Sequence, residues 1–332
     1  MPENSTRVRT ATIILSIITL VLLVLAAVGY YYRGSLLALV LHEPKVEYVT
    51  ARPFAPHGTI YLTLASATTT GQSGIYAFDL ATNTLKPVLG DATHSYITAR
   101  PGTPNSLLYV AIPNKSGYVV PQVYTMGTAG KQEPITSSSV LRKRAPVYSP
   151  ALDAYIYSGA TTTATVMTPN WYGVYLVKDG KESYIGQGAL PALTPKGTSV
   201  VVLRNDGLYL LDLTSKASQR IWAKPASLRD QFSLSLAGDS IAWAFPEESI
   251  IQVESVSSWA PFAGALKTQI QAHANWPTFS LDGTYLAFDE TDVSATSSNP
   301  RLTIFDLKTP QKKVVQDFSA YNQAKIFVSA WQ

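Results

Sequence analysis

The segment Tyr48-Val49-Thr50-Ala51-Arg52-Pro53 returns almost unchanged as Tyr96-Ile97-Thr98-Ala99-Arg100-Pro101. A chain that repeats itself at such an interval is built from copies of one supersecondary unit, which excludes most other architectures. Each copy is followed by a second proline, Pro56 or Pro104, and then by an apolar run. A second set of copies is Pro146-Val147-Tyr148-Ser149-Pro150, Pro191-Ala192-Leu193-Thr194-Pro195 and Pro277-Thr278-Phe279-Ser280-Leu281-Asp282-Gly283. Leu234-Ser235-Leu236-Ala237-Gly238 fits the same frame without its proline.

A strand follows each copy: Thr59–Leu64, Leu107–Ile112, Ala154–Ser158, Ser199–Leu203, Ser240–Phe245 and Thr284–Phe288. A third strand comes next, as in Ile75–Leu80, Leu208–Leu213 and Leu302–Leu307, and a polar turn then leads to a poorer fourth. Continuous runs such as Val200-Val201-Val202-Leu203 predict strands buried on both faces between neighbouring units. Six units of four strands, each within the length of a propeller blade, make the expected fold all-β, a six-bladed β-propeller. Lys325–Trp331 is left over after the sixth unit. It closes the ring by pairing in the first blade, since an open ring leaves two unpaired edges. Tyr48–Arg52 competes for that innermost place, and seven blades is the alternative count.

Trp276-Pro277-Thr278-Phe279-Ser280-Leu281-Asp282-Gly283-Thr284-Tyr285-Leu286-Ala287-Phe288 resembles the W-SPDG-x-x-IAF signature of TolB-like, WD40-like repeat propellers. The third strands ending Asp79-Leu80, Asp212-Leu213 and Asp306-Leu307 resemble that family's Y-x-x-D-L segment. The likeness covers about residues 46–332, one blade carries the signature nearly whole, and what it implies is architecture. TolB itself is periplasmic and carries an extra N-terminal α/β domain, for which this chain has no room, so TolB's partners are not carried over.

Ahead of the repeats lies Ala11–Tyr32, which contains no charge or proline. At about 1.5 Å rise per residue such a run crosses a hydrocarbon core of about 30 Å as one helix. It is longer than the apolar core of a secretory signal, lacks a clean Ala-x-Ala site, and ends in Tyr30-Tyr31-Tyr32-Arg33, as a retained helix ends at the lipid–water boundary. The expected order is a short cytoplasmic tail (1–10), a transmembrane helix (11–33), a stem (34–45) stopped by Pro44, and the propeller (46–332). Orientation follows from a short tail preceding the helix and a large domain following it, which makes a signal-anchor exporting the propeller. The protein is expected in the plasma or inner membrane, single-pass, with the propeller outside the cytoplasm.

The formal net charge of +4 gives no basic stripe, so no nucleic-acid partner is expected. The densest basic spot, Leu141-Arg142-Lys143-Arg144, reads as a solvated loop, with an anionic contact as the alternative. No cysteine is present, which excludes disulfides, thiolate metal sites and a thiol nucleophile.

Long connections after the second strand, at 66–74, 113–121, 159–172 and 290–300, form an arc over blades six, one, two and three. Loops of this kind on a rigid scaffold carry binding. Tyr118, Trp171 and Tyr172 are its aromatic candidates. Arg52 and Arg100 occupy matching places in adjacent units, in the frame where other blades have Ser149, Thr194, Ser235 and Ser280. Two guanidiniums at one end of a channel suit a carboxylate or phosphate; pairing with local carboxylates or carbonyls is the alternative.

Nothing catalytic emerges. Gly71-Gln72-Ser73-Gly74 lacks the spacing of a nucleophile elbow. His42, His57, His94 and His273 are dispersed, and Asp289, Glu290 and Asp292, which could touch a cation, lack the ligand spacing of a calcium loop and read as a solvated loop. No catalytic residue, metal ligand or cofactor is assigned, and the chain is expected not to be an enzyme. The leading expectation is a membrane-anchored binding or scaffolding propeller with a protein or envelope-polymer partner. The alternatives are an exported propeller enzyme acting on a glycan or small ester, and a TolB-like component of an envelope complex.

Overall fold

The computed structural model describes residues 53–65, 73–90, 94–103, 106–113, 120–127, 129–160, 168–223, 231–259, 262–291, 300–318 and 325–332. The tail, helix and stem expected over 1–45, together with Arg52, Tyr118 and most of the long connections, lie outside these residues. Among the described residues no helix is long and apolar enough to cross a membrane.

Twenty-four strands form six four-stranded antiparallel sheets. Blade 1 holds β1 (Thr59–Ala65), β2 (Ser73–Asp79) and β3 (Thr84–Leu89); blade 2 holds β4 (His94–Pro101), β5 (Ser106–Pro113), β6 (Gln122–Gly127) and β7 (Gln132–Pro134). Blade 3 is β8 (Leu141–Ser149), β9 (Ala154–Ala160), β10 (Tyr172–Lys178) and β11 (Lys181–Gln187). Blade 4 is β12 (Ala189–Leu193), β13 (Ser199–Arg204), β14 (Gly207–Asp212) and β15 (Ser218–Ala223). Blade 5 is β16 (Gln231–Leu234), β17 (Ser240–Phe245), β18 (Ile250–Trp259) and β19 (Phe262–Gln271). Blade 6 is β20 (Ala274–Phe279), β21 (Tyr285–Thr291), β22 (Pro300–Asp306) and β23 (Gln311–Asp317), and the last strand, β24 (Lys325–Trp331), returns to blade 1.

The order β24-β1-β2-β3 answers the question left open by the sequence. The C-terminal strand takes the innermost place, running antiparallel to β1 from Ile60↔Trp331 to Ala65↔Lys325. The fold is a six-bladed propeller whose ring is closed by strands from both ends of the described chain.

Apolar clusters join every neighbouring pair of blades, which explains why the second strands read as unbroken hydrophobic runs. In β13, Val200 and Val202 pack with Ile156 and Val174 of blade 3. The alternate Val201 and Leu203 pack with Phe232, Ile241 and Trp243 of blade 5. Across the closure, Ile60, Leu62, Ile326, Val328 and Trp331 share a cluster with Tyr285, Leu302 and Ile304 of blade 6.

The repeated motifs are turn chemistry. In the turn from β20 to β21, Ser280 Oγ accepts from Tyr285 N at 2.9 Å and donates to Asp282 Oδ1 at 2.7 Å. Gly283 closes that turn onto Ser280 O at φ 65°, a conformation glycine adopts without steric cost. Blade 5 repeats it: Ser235 Oγ accepts from Ser240 N at 3.0 Å, and Gly238 lies at φ 68°. The third-strand aspartates serve a second turn. Asp79, Asp212 and Asp306 each accept two backbone N–H groups of the residues that follow, at 2.7–3.0 Å. Those hydrogen bonds, led by Thr82 N and Ser215 N, hold the Asp79 and Asp212 carboxyls below the usual range. The family-like acids are therefore structural.

Two readings of charged segments are corrected. Leu141–Arg144 is not a loop but the start of β8, an inner strand. Lys143 is 1% exposed and its Nζ donates to Ser138 O at 2.9 Å and Val140 O at 2.7 Å. Burial pushes its pKa down to about 8, against a smaller opposing pull from Glu182. Likewise Asp289 and Glu290 belong to β21. Asp289 is buried, and Glu290 takes Lys312 Nζ at 2.6 Å and Thr303 Oγ1 at 3.0 Å.

Candidate functional site at the channel mouth

In blades 2 to 6 the inner strand leads through a turn into its second strand, in blade 1 β24 takes the inner place beside β1, and the pairing registers define one equivalent position per blade. Arg100↔Leu108, Val147↔Ile156, Ala192↔Val201, Ser233↔Ala242, Thr278↔Ala287 and Ala330↔Tyr61 all pair with the third residue of the second strand. All six lie in the wall of one cavity of about 510 Å³ at the mouth of the channel. A register shift immediately precedes the ring residue in blades 3, 4 and 6, and lies one residue further back, before Ala99, in blade 2. Ala145, Leu190 and Trp276, two residues before the ring residue, take left-handed φ of 48°, 54° and 52°. Bulges of this kind re-aim the residues that follow them.

The frame inferred for Arg100 is therefore corrected by two residues. Gly102 N bonds Ser106 O, whereas Thr194, Ser235 and Ser280 bond Ser199, Ser240 and Tyr285, so the blade 2 turn is one residue shorter. Pro101 ends β4, while Pro150 and Pro195 lie in the turns beyond their strands. The proline spacing thus sets Arg100 against the turn hydroxyls in the sequence, whereas its pairing places it in the ring. Its partner in the two-arginine proposal, Arg52, lies outside the described residues.

The mouth has a distinct chemistry. Arg100 and the exposed Lys196 are the charged residues among its described lining, which includes no Asp, Glu or His. Arg100 is half-buried, and its Nε is enclosed with no hydrogen-bond partner. Burial alone shifts the guanidinium down from its usual range. Ser233, 8% exposed, likewise has an enclosed Oγ with no partner. Around the rim the turns present Pro150, Pro195, Leu236 and Leu281, the two leucines being 69% and 54% exposed. A second groove of about 600 Å³ shares Thr194, Pro195 and Lys196 with the mouth and continues between blades 4 and 5 to Trp259.

The aromatic candidates fall elsewhere. Trp171 is 39% exposed in the short turn Pro169–Trp171, and Tyr172 is the first residue of β10. Both sit where the second-to-third-strand connection attaches, at the end of the strands opposite the cavity. Tyr172 is not a loop residue: it is 1% exposed, with the Arg144 guanidinium 4.7 Å from its ring centre. Packing against Ala160 and Leu190 in the core takes it out of any exposed binding arc. Among the described residues no group of His, Asp or Glu is placed to hold a metal ion.

The arrangement defines a β-propeller with a funnel at one mouth. No protein-family model and no curated protein matches the sequence. Solved structures do match the fold. TolB from Acinetobacter baumannii aligns at TM-score 0.61 and 18% identity over 82% of this chain, which spans 66% of that protein. A TolB from Agrobacterium tumefaciens aligns at TM-score 0.54 and 13% identity, covering 79% of this chain and 90% of that one. A chain of the nidogen/laminin complex aligns at TM-score 0.59 and 10% identity, covering 81% and 97%. The resemblance to TolB-like propellers thus holds for architecture.

Proposed function

We propose that this chain is a binding propeller that receives its partner at the channel mouth. One observation carries the reading: the mouth combines an exposed apolar rim, Leu236 and Leu281, with two unpartnered polar atoms in the wall, on Arg100 and Ser233. Paired carboxylates or histidines converging there would favour the enzymatic alternative on a glycan or ester, and the described lining offers neither. The nidogen/laminin match lends support, as a propeller-sized likeness within a protein complex. In the same reading residues 11–33 tether the propeller to a membrane and the partner is a protein or polymer of the cell envelope.

The test compares two double variants of the full chain in quantitative affinity purification from its native membranes. Leu236→Asp with Leu281→Asp is expected to reduce specific co-purifying partners about tenfold, as loss of central apolar anchors does. Tyr184→Asp with Leu266→Asp, exposed on the outer strands β11 and β19, is expected to leave them unchanged. The opposite pattern overturns the proposal.

A further inference from the structure

Within that ring of six, five blades contribute Val147, Ala192, Ser233, Thr278 and Ala330, and one contributes a guanidinium. An enclosed cation with no counter-charge is destabilising by itself. A ligand carboxylate removes that penalty through two parallel N–H···O bonds to the planar fork. We propose that the channel mouth binds an organic carboxylate with an apolar body, its acid group held by Arg100. This rests on the binding reading above and names the chemistry of what is bound.

The other features of the mouth fit such a ligand. With Lys196 exposed, Arg100 is the sole half-buried charge in the described lining, which matches a monoanion; a phosphate dianion against one guanidinium would remain half-neutralised. Ser233, in the blade opposite that of Arg100, supplies a hydroxyl for a polar group on the ligand body. Leu236, Leu281, Pro150 and Pro195 supply apolar contact at the rim. The cavity volume of about 510 Å³ falls within the range of small-ligand sites, about 300–1,000 Å³. Such a carboxylate has two sources, a free small acid or the C-terminus of a polypeptide.

The experiment measures binding to the full chain by ligand-observed NMR and calorimetry. The probes are N-acetyl-leucyl-phenylalanine, its C-terminal amide, its phosphonate analogue and 4-phenylbutyrate. The dipeptide acid is expected to bind at least about tenfold more tightly than its amide. Arg100→Met is expected to bring the acid down to the affinity of the amide while leaving the amide unchanged; Arg100→Lys retains part of the preference. Ser233→Ala weakens both probes and preserves their ratio. A dipeptide acid stronger than 4-phenylbutyrate identifies a polypeptide terminus, and the reverse order identifies a small acid. Equal affinity of acid and amide in the unmodified chain, tighter binding of the phosphonate, or an acid preference surviving in Arg100→Met overturns the proposal. The acid–amide comparison needs no variant, so it decides the question even where Arg100→Met fails to fold. No binding of any acid at millimolar concentration, with the Leu236/Leu281 variant still losing its partners, overturns this inference alone and leaves the binding reading standing.

Discussion

A chain ending before Lys325 is expected to lose the folded propeller altogether, not merely one strand. β24 contributes Ile326, Val328, Ala330 and Trp331, each no more than 5% exposed, and they sit in the cluster joining blades 1 and 6 or in the channel wall. Burying one large apolar side chain is worth about 1.5–3 kcal/mol, so the three large ones together approach the whole stability of a typical domain, about 5–15 kcal/mol. Truncation also strips β1 of its ladder partner and removes the bonds between Thr59 and Gln332, at 2.6 and 2.8 Å, and from Trp331 Nε1 to His57 O at 2.8 Å. Circular dichroism with urea titration is expected to show no cooperative transition in the truncated chain. A transition near that of the full chain would mean that the ring does not depend on this closure.

The second large effect concerns Asp289. It is 7% exposed in β21, and Oδ1 accepts Asn275 N at 3.0 Å. Burial pushes its carboxyl up to about 7, against hydrogen bonds that pull the other way. A folded pKa above the unfolded value makes the contribution full at low pH. It is lost as pH rises from about 4 through about 7, because ionisation is easier in the unfolded chain. Asp289→Asn keeps an acceptor for Asn275 and removes the charge. The variant is expected to gain up to about 4 kcal/mol over the unmodified protein above pH 7, at about 1.4 kcal/mol per pKa unit, and to differ least near pH 4. Urea midpoints measured from pH 4 to about 8.5 check this; parallel profiles would show that Asp289 carries no buried charge.

Most of the fold was legible because its signals are local. Short β-branched runs such as Val200–Leu203, aspartates ending third strands, and Ser-x-x-Gly turns each declare themselves within a few residues. Ring closure was only half legible, since Lys325–Trp331 reads as a strand but nothing local says whether it or Tyr48–Arg52 lies beside Thr59–Ala65. The site was least legible. Its ring contributes one ordinary residue from each blade, so no window contains a pattern, and loop length drew attention to the other end of the strands. Tyr172 and Lys143 sit in polar or charged surroundings in the sequence, yet Tyr172 is buried in a cluster with strands of the next blades and Lys143 is buried with its Nζ on Ser138 O and Val140 O. The usable signal was positional: the residue two before each turn serine or threonine is Val147, Ala192, Ser233 or Thr278. A frame that allowed blade 2 a shorter turn would have placed Arg100 among them.

The proposed binding occurs at the funnel ringed by Leu236 and Leu281. Site-specific photocrosslinking in the native cells tests it most directly, with a photoreactive residue placed singly at Leu236, Leu281, Tyr184 and Leu266 of the full chain. The two mouth positions are expected to give discrete, saturable adducts, and the two outer-strand positions none. Adducts confined to Tyr184 and Leu266 would contradict the account.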